Sequence, residues 1–282
     1  KLILEHLGLP STTKTKAFVT MVANDDFVVG AKVLLHSLRH TGSLIDDLVD
    51  FVVMETGNLT ESAIQSLEVH GAIVIRRDRL EYLDRRTDAG FKDRYKDKSW
   101  MMFMKLNVFN LTTYRRIVYM DADIIALKDI SFLLDSTSTP ALSASPERKG
   151  LEPEFNAGLM VINPSSVLYE DMKRHVDDDS YLCGFRATDQ SFLCHYFHPS
   201  HQSSANWAGG AWNPLPGSFM ALWKVSRNRP SWVLENASVL HFNANKPWLV
   251  ELNDGLSKRW HEEAKHCGPS CTYSPPIAQG RM

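Results

Sequence analysis

The 282 residues carry 31 Lys and Arg against 33 Asp and Glu, a formal charge of −2, with 44% apolar and 23% charged residues. That is ordinary globular composition, enough for one large α/β domain or two small ones. The weakly negative balance excludes a nucleic-acid binder that relies on a basic surface. No apolar run nears the roughly 20 residues of a membrane span.

Residues 1–16 end in a polar run and read as a lead-in. Ala17–Val22 is the first buried strand, broken by Asn24-Asp25-Asp26. Val29, Val33, Leu34 and Leu38 then recur at helical spacing, with Gly42 as a stop. Leu48–Met54 is a second strand, Thr60 caps a helix from Glu61 to His70, and Ala72–Ile75 is a third strand. Such alternation implies parallel strands joined by right-handed crossovers. Arg76–Ser99 is dense in charge, without period, and reads equally as a lid or a solvated insertion. Trp100–Leu111 reads as a helix carrying Lys105.

Ile117–Met120 is a short apolar run, the pattern of a central strand covered on both faces. It ends on Asp121-Ala122-Asp123. A short helix is expected over Asp129–Leu134, a strand over Ala141–Ala144 and a longer strand from Phe155 to Pro164. Ser165–Val176 is an amphipathic helix, and Thr188-Asp189-Gln190 opens another through Phe197. Residues 198–236 hold Trp207, Trp212, Trp223 and Trp232 among prolines and glycines, which suggests irregular structure on aromatic anchors. Val239-Leu240 leads into a loop running from His241 to Trp248. The expected organisation is therefore a lead-in (1–16), one domain (17–265) and a tail (266–282).

The Asp121/Asp123 pair falls where ligands bind in open α/β sheets, outside the carboxyl end of a strand. Two carboxylates there repel unless a cation lies between them. An Asp-x-Asp triplet also arises by chance, and Asp123 equally suits a helix cap. The loop after Val239-Leu240 adds an imidazole, His241, and an ammonium, Lys246. Carboxylates plus imidazole, with positions left for phosphate oxygens, suit Mn²⁺, and a lysine suits a diphosphate.

These residues resemble the family-eight retaining glycosyltransferases, the glycogenin-like group. Six blocks carry the resemblance in order over Ala17–Trp248. They are Ala17-Phe-Val-Thr-Met-Val-Ala-Asn24 with Gly30-Ala31, Lys105-Leu106, Tyr119-Met-Asp-Ala-Asp123, Phe155-Asn-Ala-Gly158, Asp189-Gln190 and His241 to Trp248. The resemblance implies a GT-A fold, a Rossmann-like α/β architecture with a mixed, mostly parallel sheet flanked by helices. It implies a Mn²⁺-dependent hexosyltransferase that moves glucose, or second galactose, from a UDP-sugar to an external glycan, glycoprotein or glycolipid. By the same resemblance Asp121, Asp123 and His241 hold Mn²⁺. Met21, Ala23, Asn24 and Phe27 form the uridine pocket, and Ala122 meets the ribose. Lys105, Asn156, Ala157, Asp189 and Gln190 surround the sugar, while Ala244 and Lys246 contact the diphosphate. Asp189, Gln190 and Lys246 are the expected catalytic set, with front-face attack and an Asp189 nucleophile both open. A homodimer is expected by family analogy only.

The chain departs from the group at Arg186-Ala187-Thr188, where Asp-Gly-Gly is common, and this leaves donor and acceptor identity open. The alternatives are a self-glucosylating primer, a non-catalytic nucleotide-sugar binder and a metal-dependent phosphohydrolase. The last would want further carboxylates close by. Self-priming needs an acceptor tyrosine, which in the glycogenin-like group lies between the Asp-Gln block and the His241 loop, and after Tyr196 that interval holds none. Cys267 and Cys271 are spaced for a local disulfide, for two inert thiols or for half a zinc site. Asn58, Asn110 and Asn236 open glycosylation triplets. The chain opens on Lys1, not Met, so the compartment stays open between the cytoplasm and, if an N-terminal anchor preceded this sequence, the Golgi or secretory lumen.

Overall fold

The computed structural model describes residues 13–77, 103–135, 141–147, 154–177, 188–201, 208–250, 253–271 and 273. Most of the charged stretch after Arg77, Trp100, Arg186, Ala187 and Trp207 lie outside the described residues.

Strands β1 (Lys16–Val22), β2 (Asp50–Glu55), β3 (Ile73–Arg76), β4 (Arg116–Met120), β6 (Leu142–Pro146), β7 (Phe155–Ile162) and β8 (Asn213–Pro214) form one sheet in the order β3-β2-β1-β4-β7-β6-β8. The pairs β3–β2, β2–β1, β1–β4 and β6–β8 are parallel; β4–β7 and β7–β6 are antiparallel. The sheet is thus mixed and mostly parallel. The short strands β5 (Ile124–Ala126), β9 (Met220–Leu222) and β10 (Val239–His241) make a second sheet, with β10 in the middle.

The apolar runs read from the sequence have the burial they imply. β2, β4 and β7 are buried along their whole length. Alternate residues feed different cores, as the strand period of two requires. Val19, Tyr119, Met160 and Ala144 pack on one face with Leu106, Phe109 and Phe197. Phe18, Val118, Val161 and Val53 pack on the other with Leu34, Leu38 and Leu67. The helices on that second face are α1 (Val28–His40) and α2 (Glu61–Val69), the latter capped by the Thr60 side chain, which accepts from the Ala63 N–H at 3.3 Å. α3 (Ser166–Asp177) and α4 (Asp189–Tyr196) contribute to the first face, and Thr188 caps α4.

Three segments differ from the sequence reading. The helix expected over Trp100–Leu111 is, in its described part, a 3-10 helix over Met104–Asn110, and the one expected over Asp129–Leu134 is a 3-10 turn over Ser131–Leu134. The stretch 220–236 is more regular than expected. It contains β9, a helical turn at Trp223–Ser226 and α5 (Pro230–Asn236), which has Pro in its first turn.

A third core lies outside the sheet. α6 (Gly255–Cys267) places Leu256, Trp260 and Ala264 against Val33 of α1 and against Phe242 and Trp248. Asp254 caps it by accepting from the Leu256 and Ser257 N–H groups at 3.0 and 3.1 Å, and Gly268 ends it at φ +91°. Cys267 is disulfide-bonded to Cys271, and Cys271 is buried in this core. Among the described residues no helix is long and apolar enough to cross a membrane.

Candidate active site

The site is built where β4 stops. β4 and β7 hold each other through antiparallel pairing, and the Asp121 N–H donates to the Gly158 carbonyl at 2.8 Å as the ladder ends. The chain then turns through Asp121-Ala122-Asp123 and enters β5, which pairs with β10. That pairing sets Ile124 opposite His241, and the Phe242 N–H donates to the Asp123 carbonyl at 2.9 Å. Two segments more than a hundred residues apart are thereby locked with His241 beside the aspartates.

Asp121, Asp123 and His241 each offer one ligand atom, and these atoms lie within 4.8 Å of one another. His241 Nε2 is 3.2 Å from Asp123 Oδ1 and 3.8 Å from Asp121 Oδ2. Lys246 forms an ion pair with Asp123 Oδ2 and donates to the Phe242 carbonyl at 3.0 Å. Burial alone would raise the Asp123 pKa, yet His241 and Lys246 outweigh it and hold the carboxyl well below the usual carboxylate range. His241 Nδ1 is buried without a hydrogen-bond partner among the described residues. Two carboxylates and an imidazole converging at this spacing are a donor set suited to a divalent cation such as Mn²⁺.

The Asp121 carboxylate also contacts Tyr119 and Lys105. Its Oδ1 accepts from the Tyr119 hydroxyl at 2.8 Å and pairs with Lys105 Nζ at 3.0 Å. Lys105 pairs as well with Asp189 Oδ2 at 2.7 Å and donates to the Ala157 carbonyl at 3.2 Å. Burial opposes the charge on Lys105, but Asp121 and Asp189 outweigh it and hold its pKa above the ordinary lysine value. The ammonium is therefore charged and fixed.

Gln190 and Asn156 are oriented by a residue that sequence reasoning missed. The buried carboxylate of Glu147 accepts from Asn156 Nδ2 at 2.8 Å and from Gln190 Nε2 at 3.1 Å. The other end of each amide accepts a backbone N–H: Gly158 to Asn156 Oδ1 at 2.9 Å, and Ala157 to Gln190 Oε1 at 3.2 Å. Both amides are thus assigned by their partners. Glu147 follows a register shift in the β6–β7 pairing between Ala144 and Ser145, so no regular spacing from Asn156 announces it.

The residues expected around uridine line the adjoining edge. Asn24 Oδ1 is buried with no partner among the described residues, and Met21 packs on the face that holds Tyr119. Ala23 is half-buried, its carbonyl 3.4 Å from the Thr56 hydroxyl. Phe27 meets Trp248 edge-on at 5.7 Å between ring centroids. Ala122 is buried against α1, where a Cβ on Gly30 would lie 2.5 Å from its carbonyl oxygen and 2.7 Å from the Trp248 ring. Only glycine allows that approach. Ala244 is exposed in the turn that carries Lys246. The structure thus links Asp121, Asp123, His241 and Lys246 to Lys105, Asp189, Asn156, Ala157 and Gln190 in one connected cluster, while Ala244 makes no hydrogen bond to it among the described residues.

Comparisons with known proteins show the family and the fold. The pattern of glycosyl transferase family 8 matches residues 18–251. Inositol phosphorylceramide glucuronosyltransferase 1 of Arabidopsis thaliana is 30% identical over 187 residues, 66% of this chain and 31% of its own length. Glycogenin-1 of Mus musculus is 28% identical over 243 residues, 84% of this chain and 67% of its own. The chain spans only 31% to 37% of the length of the plant relatives it matches. Among solved structures, the galactosyltransferase LgtC with donor and acceptor sugar analogs superposes with a TM-score of 0.65 at 16% identity, over 89% of this chain and 95% of that one. The sheet order and helix placement are those of the GT-A fold. With a family match over most of its length, this chain belongs to glycosyl transferase family 8.

Proposed function

We propose that this chain is a metal-dependent, retaining hexosyltransferase that uses a UDP-sugar and an external acceptor. The observation that carries the reading is the convergence of Asp121, Asp123, His241 and Lys246 at the end of β4, directly linked through Asp121 to the Lys105–Asp189 pair. Asp121, Asp123 and His241 would hold Mn²⁺, which when bound supplies Lewis-acid stabilisation of the departing diphosphate.

The chain's own residues divide the remaining work. Lys246 is a point charge beside the same carboxylates and neutralises phosphate charge as the anomeric C–O bond breaks. Lys105, fixed by two carboxylates and the Ala157 carbonyl, fixes Asp189 in turn. Asn156 and Gln190 present amides pre-oriented by Glu147 to the sugar hydroxyls. The acceptor hydroxyl attacks the anomeric carbon on the face the diphosphate leaves, and its proton passes to a phosphate oxygen. No protein base is then required. A covalent intermediate is disfavoured because Asp189 Oδ2 is tied to Lys105 and Gln190 Oε1 already accepts from Ala157.

Glucose is the first donor. The similarity to glycogenin-1 supports that choice. Glucuronic acid is a further reading, favoured by the activity named for the plant relative and by Arg186 in place of an acidic residue. Tyr196 is fully buried, and its hydroxyl donates to Asp171 at 2.5 Å, so it is a core residue and not an acceptor. The test is UDP release and product mass with UDP-glucose, UDP-galactose and UDP-glucuronic acid, Mn²⁺ and a panel of glycans and glycolipids. Transfer from one of these donors supports the reading. Release of inorganic phosphate without sugar transfer would instead indicate a phosphohydrolase.

A further inference from the structure

A second cluster of ligating side chains lies away from the candidate active site, where α1 packs on α6. His36 and His40 are one helical turn apart on α1 and so share a face. Both direct Nδ1 at the Glu263 carboxylate on α6: His36 at Oε1, 2.6 Å away, and His40 at Oε1 and Oε2, 3.1 and 3.2 Å away. Glu263 is fully buried, while the His36 and His40 side chains are 28% and 51% exposed, so the cluster opens to solvent on the histidine side. Arg259, one turn back on α6, binds the other oxygen, Glu263 Oε2, at 3.0 Å. That pins the carboxylate within reach of both imidazoles.

We propose that His36, His40 and Glu263 form a zinc site that ties α6 to α1. The three ligand atoms lie within 4.8 Å of one another. Ligands about 2.0–2.1 Å from a tetrahedral zinc are about 3.3 Å apart, so the His40–carboxylate distance fits nearly as it stands and the His36–carboxylate distance would open by about 0.7 Å. Two imidazoles and one carboxylate match the nitrogen–oxygen preference of zinc, and the Arg259 contact is the outer hydrogen bond that orients a monodentate carboxylate ligand. A water molecule or His266 completes the set; the His266 ring is 6.1 Å from that of His40 and is exposed. Burial would raise the Glu263 pKa, but the His40 and His36 hydrogen bonds and Arg259 keep it ionised. His40 lies ten residues beyond Gly30, about 15 Å along the helix, so this site is separate from the aspartate cluster. Its role is structural: α6 supplies Trp260, which packs on Trp248 at 5.4 Å.

The rival account is a zinc-free pair of imidazole–carboxylate hydrogen bonds. Zinc binding is measured calorimetrically in the Asp123→Ala background, which removes a ligand of the proposed catalytic metal. No reductant is present, so the Cys267–Cys271 disulfide stays closed. The Asp123→Ala protein should bind one zinc per chain and melt at a higher temperature with zinc than with chelator. Adding His40→Ala or His40→Gln should weaken binding by at least about tenfold, the least that loss of a ligand's hydrogen-bond partner costs, and abolish the thermal shift. The Gln variant keeps a hydrogen-bonding side chain and so guards against a simple folding defect; far-UV circular dichroism in chelator checks both. Equal zinc affinity with and without His40, or no zinc bound by the Asp123→Ala protein, would overturn the proposal. Neither result depends on whether the chain transfers sugar.

Discussion

Lys105→Met should destabilise the protein severely, because it removes one cation from between two carboxylates. The side chain is 7% exposed, and its partners Asp189 and Asp121 are 12% and 27% exposed. Removing one member of a buried pair typically costs about 3–5 kcal/mol, since the other charge is left uncompensated. Most of that cost falls on Asp189, the more buried partner; the Asp121 share is reduced by solvent. A loss of about 3–5 kcal/mol is a large part of the roughly 5–15 kcal/mol available to a domain. The folded pKa of Lys105 is raised, so its contribution is complete below the unfolded value of about 10.4 and is lost only as pH rises through the folded one. At neutral pH the full effect should appear. The assay is urea unfolding without added metal, comparing wild type, Lys105→Met and Lys105→Met/Asp189→Asn. The double variant should recover part of the loss, because the buried charge left behind is gone. A single variant within about 0.5 kcal/mol of wild type, the range of ordinary surface changes, would refute the view that Lys105 neutralises both carboxylates.

The other predictions concern the same cluster. Gly158→Ala would place a Cβ 2.4 Å from His241 Cε1 and 2.8 Å from Asn156 Oδ1, so both side chains must move. Urea unfolding should show a loss of about 1–3 kcal/mol, with weaker Mn²⁺ binding by calorimetry. Lys246→Ala should lower kcat more than it raises KM for the donor, by about 2.7–4 kcal/mol if it acts like one oxyanion-hole donor; steady-state kinetics with an unchanged kcat would argue against its role at the leaving group. Intact mass after incubation with UDP-glucose and Mn²⁺ should show no ladder of hexoses on the protein, since no tyrosine lies between Tyr196 and Tyr273.

The strands were legible because both faces of β2, β4 and β7 are buried, which forces continuous apolar runs. Asp121 and Asp123 were legible because they end such a run. His241 is 118 residues further on, and no local period predicts β5–β10 pairing; donor chemistry and the family resemblance, not spacing, joined it to the aspartates. Glu147 escaped because it acts through Asn156 and Gln190 and follows a register shift. Residues 104–110 look helical by periodicity, but the backbone there takes the tighter 3-10 form. α6 carried readable signals in Asp254, in Leu256, Trp260 and Ala264 at four-residue spacing, and in Gly268. They pass unnoticed when the last expected motif ends at Trp248. The His36–His40–Glu263 cluster joins helices more than two hundred residues apart, and His36 and His40 alone at i, i+4 are unremarkable.

The most direct test is Mn²⁺-dependent release of UDP from the preferred UDP-hexose with its acceptor present, followed chromatographically for wild type and Asp123→Ala. Wild type should lose turnover in excess chelator and regain it when Mn²⁺ is restored. Asp123→Ala, folded by circular dichroism, should stay inactive at any Mn²⁺ concentration. Turnover that persists in chelator, or an active Asp123→Ala protein, would contradict the assignment of the aspartate–histidine cluster as the metal-holding centre of sugar transfer.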